Sequence, residues 1–374
     1  MKRISSAILV SALALVFAGA VTAAPLPGGT LDPLLIPKYV DPLPVPGVMT
    51  QTPNRAVNAM GIDYYEIAVR QFQQQVLSTG TPLITPANLT TVWSYWSLAP
   101  GGVFHYPAFS IEATANRPVR VKWVNQLVKD PVACASSASP ATDPACNYLP
   151  HLLPVDQTLH WANPAQMCAN GMMGTDCEGS DPNPYAGPVP IVVHVHGSHV
   201  NPDSDGYPTA WWLPAANNIA GYAARGSNYD QIPGEPRENG AAFFQYRNDQ
   251  RATTLWYHDH SLGMTRNNVY AGPAGFYLLR GGPDDLPSGV PGGLPGGSYE
   301  VPLVIQDRSF NDDGSLFYPN SREFFDGYAG PYIPNPVSDI SPLWNPEFFG
   351  NTNVVNGKTW PYLNVEPRKY RFRI

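Results

Sequence analysis

Two stretches carry paired imidazoles at a spacing that could hold metal. In "IVVHVHGSH", Ile191–His199, one residue separates His194 from His196 after a β-branched run; "LWYHDHS", Leu255–Ser261, repeats the arrangement at His258 and His260. Alternate side chains of an extended strand share a face, so each His-X-His pair presents both rings to one side. Two such strands ending side by side would bring four imidazoles together. Neutral imidazole suits copper, zinc, iron or nickel, so these donors alone leave the metal open. One His-X-His can be an ordinary strand feature. Two of them, each closing an apolar run and each leading into a glycine-containing loop, point to a site. His199 faces a loop and reads as structural, or as a support to the ligands. His105, His151 and His160 have no partner in the pattern and read as loop or surface residues.

A mononuclear zinc hydrolase is the first rival. It would want a carboxylate ligand or general base on the face of its histidines. Asp259 lies between His258 and His260, so in a strand it points the opposite way. No His-X-His-X-Asp-His pattern follows His196 either.

The elements that must position these histidines are strands. With 42 prolines, 33 glycines and only 14% charged residues, the chain is unlike a helical bundle, while 43% hydrophobic residues support buried cores. Dense punctuation between short apolar runs points to an all-β architecture with many loops. At 374 residues, two or more domains are expected. A net charge of -7 argues against nucleic acid as a partner.

Lys2 and Arg3 precede the apolar run Ala7–Val21 and the small residues of "VTAAP", the layout of a secretory signal peptide over residues 1–24, cleaved near Ala23 or Ala24. A membrane anchor is the alternative, but the run is short for a span, and no second stretch approaches bilayer length. The pattern places the mature chain outside the cytoplasm, secreted or periplasmic. Four cysteines suit that compartment. They form two close pairs, Cys134/Cys146 and Cys168/Cys177, in loop-like sequence. Two local disulfides are the preferred connectivity of the three that four cysteines permit, each contributing roughly 2–3 kcal/mol. The alternative is a soft copper(I) site built from Met167, Cys168, Met172, Met173 and Cys177.

In chain order, residues 25–60 form a Pro-rich extended strap. Strands are expected at Tyr64–Phe72, Phe109–Ala113, Val119–Leu127, Ile191–His196, Ala241–Tyr246, Thr253–His258 and Gly275–Arg280. In "VRVKWVNQL" the residues Val119, Val121 and Trp123 alternate with Arg120, Lys122 and Val124, as in a half-buried strand. Residues 128–188 are a loop-rich insertion holding all four cysteines. A Gly/Pro linker at 281–298 separates a first domain, 61–280, from a second, 299–374, which opens with a strand at Glu300–Gln306 and halts on another at Tyr370–Ile374.

Four longer segments resemble multicopper oxidases, and most closely the three-cupredoxin-domain branch of spore-coat laccases and bilirubin oxidases. They are "HVHGSHVNPDSDGYPTAWW" (His194–Trp212), "LWYHDHSLGMTRNNVYAGPAGFYLLR" (Leu255–Arg280), "VPLVIQDRSFNDDGSLFYP" (Val301–Pro319) and "VVNGKTWPYLNVEPRKYRFRI" (Val354–Ile374). At lower density the similarity reaches back to "YYEIAVRQF" and "LDPLLIPKYV". The resemblance implies cupredoxin-like Greek-key β-barrel or sandwich domains, one complete and a second truncated. It implies an oxidoreductase that takes single electrons from phenols, aryl amines, tetrapyrroles or metal ions and reduces dioxygen to water at a trinuclear copper cluster. By position His194 would ligate the type 2 copper, His196 and His258 one type 3 copper, and His260 the other. Asp205 matches an acidic position thought to assist proton delivery; from the residues alone it is equally an Asx-turn residue beside Gly206.

The same resemblance requires four further cluster histidines and a type 1 site of Cys, two His and often Met. No cysteine follows Cys177 and no histidine follows His260. The expectation is therefore the N-terminal half of a copper site, without the type 1 domain. It would bind copper weakly and lack laccase activity in isolation, with a C-terminal domain or complementary subunit as its missing partner. A non-catalytic secreted copper-binding or assembly protein is the alternative.

Overall fold

The computed structural model describes residues 30–83, 89–179, 181, 183–229, 231–283, 285–320 and 348–374. The expected signal peptide and the first residues of the strap lie outside the described residues.

Eight strands build a sandwich: β1 (Asp63–Gln74), β2 (Thr90–Ser97), β3 (Ala108–Thr114), β4 (Val119–Asn125), β5 (Val193–His196), β6 (Ala241–Tyr246), β7 (Thr253–Asp259) and β8 (Ala274–Arg280). One sheet has the order β2-β1-β4-β6, the other β3-β8-β7-β5. Only β1/β4 and β3/β8 pair in parallel within them. In β4 the expected alternation holds: Val119, Val121 and Trp123 are buried, while Arg120 and Lys122 reach Glu235 and Glu238 on the outer face. β2 carries no such alternation, because Val92, Trp93, Ser94 and Tyr95 are all buried.

Aromatic rings join the layers. Tyr95 of β2 lies 5.3 Å from Trp123 of β4 and 5.3 Å from Tyr257 of β7. Two of the three have their polar atoms paired inside: Trp123 Nε1 donates to Tyr246 Oη at 3.1 Å, and Tyr257 Oη to the Phe109 carbonyl at 2.6 Å. A buried indole or phenol with a partner adds apolar area without leaving a polar group stranded.

Between Arg280 and Glu300 the described residues hold no strand. β9 (Glu300–Pro302) follows, then β10 (Ile305–Phe310), β11 (Leu316–Phe317), β12 (Thr352–Val355), β13 (Lys358–Thr359) and β14 (Arg371–Arg373), arranged as a sheet β11-β10-β12-β13 and a parallel pair β14/β9. The single strand expected at Glu300–Gln306 is thus two. Pro302 has no N–H for a continued ladder, and Asn356 clips the break, donating to the Pro302 carbonyl at 2.8 Å and accepting from the Val304 amide at 2.8 Å. The strap touches both strand sets, through bridges Thr30–Asn311, Pro42–Tyr362 and Val48–Ser110.

In the insertion, Cys134 is bonded to Cys146 and Cys168 to Cys177. The cysteines of the copper(I) alternative therefore offer no thiolate. Asp176, beside Cys177, anchors that loop: its carboxylate accepts from Trp211 Nε1 and, at 2.7 Å, from the Ser227 amide.

Candidate metal centre

β5 is an edge strand, and its antiparallel register on β7 places His194 opposite His258 and His196 opposite Trp256. His260 follows directly, its amide donating to the Val192 carbonyl at 2.8 Å. All four imidazoles consequently share the outer face of the sheet, while Val193, Val195, Tyr257 and Asp259 point inward and are buried. Ring centroids are 4.9 Å apart for His194 and His260, 5.5 Å for His194 and His196, and 5.6 Å for His196 and His258.

The ring nitrogens are sorted by their partners. His194 Nδ1 donates to the Asp205 carbonyl at 2.6 Å, and His258 Nδ1 to the Asp259 carbonyl at 2.7 Å. Each bond occupies Nδ1 and orients the ring, so that Nε2 is the nitrogen left for a ligand. His196 Nδ1 lies 3.3 Å from His258 Nε2. Two bonds of ~2.0–2.1 Å to one ion, at a roughly tetrahedral angle, fit that spacing. Burial, then the neighbouring rings of His194, His260 and His196, push the His258 imidazole down to about 4, against the opposing Asp259 carbonyl. Burial and the His194 ring lower His260 as well, and the Gly206 carbonyl opposes them. Both groups stay neutral at physiological pH, as metal ligation requires. Among the described residues, no three His, Cys, Asp or Glu side chains converge on one metal position.

The loop after β5 returns over the first pair. Gly206 has φ +79°, and a Cβ there would collide with the Val193 carbonyl, so glycine is required where the chain passes this close to β5. That passage sets Asp205 Oδ1 3.3 Å from His194 Nδ1. His199 stands apart from the four rings, exposed, with Nδ1 3.7 Å from Asp249. Trp256, half-exposed on the same face, has its ring 4.0 Å from His258 and 5.6 Å from His196.

The three single histidines lie outside strands and helices, as expected, and each has a partner. His105 Nδ1 bonds to the Pro107 carbonyl, His160 Nε2 to the Asp176 carbonyl, and His151 Nε2 to Asn268 Oδ1 at 3.0 Å. His105 and His151 are half-buried and His160 is exposed; the partners of His151 and His160 come from distant chain, at Asn268 and Asp176.

The chain is 34% identical over 341 residues to a laccase of Bacillus subtilis (strain 168), a match covering 91% of this chain and 50% of that protein. A laccase of Haloferax volcanii is 34% identical over 343 residues, covering 90% of this chain and 42% of the relative. This chain belongs to the multicopper oxidase family. It spans about half the length of the curated relatives it matches. No family model matches the chain. Among solved structures, the McoA multicopper oxidase 2F4 variant of Aquifex aeolicus aligns with a TM-score of 0.48 at 17% identity, covering 89% of this chain and 45% of that one. As a multicopper oxidase relative, the chain is of an oxidoreductase family that uses copper, and its all-β, cupredoxin-like class is the one expected from its sequence. In the sequence Asp259 stands out only for pointing away from the rings, and no pattern marks Asn268. Spacing alone could have found just Trp256, two residues before His258.

Proposed function

We propose that this chain carries the N-terminal half of the trinuclear copper site of a secreted, laccase-type oxidase. The observation that supports it most directly is the 3.3 Å approach of His196 Nδ1 to His258 Nε2 across two strands. In this reading His196 and His258 hold one type 3 copper, His260 the other and His194 the type 2 copper. Bound copper supplies the one-electron chemistry that couples oxidation of a phenol, aryl amine, tetrapyrrole or metal ion to reduction of dioxygen to water. The residues of the chain do the rest. The Asp205 carbonyl orients the His194 ring, and the Asp205 carboxylate, partly exposed and 3.3 Å from His194 Nδ1, is placed to assist proton delivery to the cluster. The inward valines and Tyr257 keep water from the back of the ligand strands. The remaining ligands and the type 1 site come from a C-terminal domain or complementary subunit.

Titration of the purified chain with Cu(II), followed by electron paramagnetic resonance, tests the reading. Imidazole-nitrogen-coordinated copper that is lost in His196→Ala and His258→Ala is expected, together with no oxidation of a phenolic dye by the copper-loaded chain. Binding unchanged in both variants would overturn the site, and dye oxidation would overturn its incompleteness.

A further inference from the structure

Asp259, between the two histidines of the second pair, is fully buried on the inward face of β7. Its carboxylate is enclosed by four donors. Oδ2 accepts from the Val192 amide at 3.1 Å and from Ser261 Oγ at 3.1 Å; Oδ1 accepts from the Ser261 amide at 3.0 Å and from Asn268 Nδ2 at 2.8 Å. Val192 leads into the first histidine pair, two residues before His194, and Ser261 directly follows His260. One carboxylate thus ties the backbone that brings in one pair to the backbone that carries away the other.

A second layer holds the carboxylate in turn. Asn268, in the helix Thr265–Ala271, uses its other amide hydrogen on the Pro190 carbonyl at 3.1 Å, and its Oδ1 accepts from His151 Nε2 at 3.0 Å. His151 Nδ1 accepts from the Leu153 amide at 2.9 Å, so the ring hydrogen sits on Nε2 and the bonds run in one direction: His151 to Asn268 to Asp259. His151 itself is packed edge-on against Trp93, 4.6 Å away.

Stability alone gives little reason for this arrangement. Directly across the ladder from Asp259 is Val193, buried among apolar side chains. A valine would also satisfy the inward pattern at 259, whereas a buried carboxylate carries a desolvation penalty that four hydrogen bonds only offset. What the carboxylate does and a valine cannot is fix the relative height of two backbone segments that each carry metal-facing rings.

We propose that Asp259 is a positioning residue for the copper face: it sets the register of the His194/His196 segment against the His258/His260 segment, with Asn268 and His151 holding it in place. This rests on the reading that the four histidines bind copper. Through the backbone, the carboxylate acts on the rings much as outer partners act on ligating side chains, whose loss typically lowers metal affinity about 10–100-fold.

The test is Cu(II) titration of the purified chain and its variants, with paramagnetic resonance spectra and melting temperatures recorded on each. Asp259→Asn keeps the size but turns one acceptor into a donor facing Val192 or Ser261. Copper affinity about 10–100-fold below that of the parent, with shifted copper hyperfine parameters in protein that remains folded, is expected. Ser261→Ala and Asn268→Ala, which leave the carboxylate but remove one donor each, should shift affinity and spectrum in the same direction by less. If Asp259→Asn is not recovered folded, these two decide alone. Variants that bind copper with the parent's affinity and spectrum, whatever their melting temperatures, would show a purely structural carboxylate and overturn the proposal. A parent chain that binds no copper would overturn the copper reading itself, and this inference with it; a parent that binds while the variants bind equally removes only the inference.

Discussion

His196 Nδ1 lies 3.3 Å from His258 Nε2 although the two residues are 62 positions apart. The approach follows from the ladder: His194 sits opposite His258, so His196, two residues further along the edge strand, reaches diagonally to the same ring. A ligand that binds these nitrogens in the folded state and not in the unfolded chain adds stability by mass action, about 2.7 kcal/mol at a hundred times its dissociation constant. Copper should therefore raise the melting temperature by about 5–10 °C at that excess, given a few degrees per kcal/mol for a chain of this size. A chelator should reverse the rise, and His258→Ala should abolish it. Calorimetry with and without Cu(II) is the measurement; an equal rise in His258→Ala would place the stabilising copper elsewhere.

Glu300 joins the two strand sets. It opens β9, and its carboxylate meets Arg280 at the end of β8 at 3.1 Å, Arg371 at 3.7 Å and, closest, Arg373 of β14. The Glu300 and Arg373 side chains are only 11% and 6% exposed, so breaking the pair leaves a buried cation. Burial raises the Glu300 carboxyl, but Arg373 and Arg280 outweigh it and hold it below the usual range. The contribution of such a lowered carboxylate is present at neutral pH and is lost as pH falls through its folded value. Glu300→Gln should lower unfolding stability by about 2–4 kcal/mol at pH 7, with a smaller difference from the parent in acid. Urea unfolding at both pH values checks this, and a difference constant with pH would remove Glu300 as the titrating group.

Asp176 holds the disulfide-closed loop to the segment that follows the first histidine pair. Trp211 is fully buried, and its indole N–H has the Asp176 carboxylate as its partner; the Ser227 amide shares that carboxylate. Removing an acceptor from a buried donor costs about 1–3 kcal/mol. Asp176→Ala should destabilise the chain by that amount while leaving both disulfides formed, as judged by urea unfolding and by thiol titration of denatured protein. Free thiols in the variant would show that the carboxylate is needed to close the loop, not only to dock it.

What could be read without the structure was whatever obeys a local rule. The rings of His194, His196, His258 and His260 share a face because strands alternate with period two, and β4 shows the same alternation in its valines. β2 escaped because both of its faces are covered, which erases the alternation and leaves only its Trp, Tyr and Val content as a signal. Asp259 and His151 were illegible for a different reason. The carboxylate's donors come from Val192, Ser261 and Asn268, and His151 meets Asn268 across 117 residues. Side-chain bonds that cross so much chain leave no spacing to count.

His151 gives a pH dependence whose direction can be worked out. Burial outweighs Asn268 and the Leu153 carbonyl, 3.1 Å from Nδ1, and pushes the ring down to about 4, against about 6.5 for a histidine in the unfolded chain. Above pH 6.5 both states are neutral there. Between 6.5 and 4 the unfolded chain takes up a proton that the folded chain refuses, so stability falls as pH falls; below 4 the loss is complete. Asp259 works in the opposite sense, since burial raises its carboxyl to about 6 and the folded state takes up its proton first. The parent profile therefore mixes two opposed trends within one hydrogen-bonded network, and a single melting curve cannot separate them. His151→Gln can: its amide still donates to Asn268 but does not titrate. Whatever advantage in melting temperature the parent holds over this variant at pH 7 should shrink steadily toward pH 4.5. An advantage that stays constant over that range would mean that His151 is protonated in the folded chain as readily as in the unfolded one.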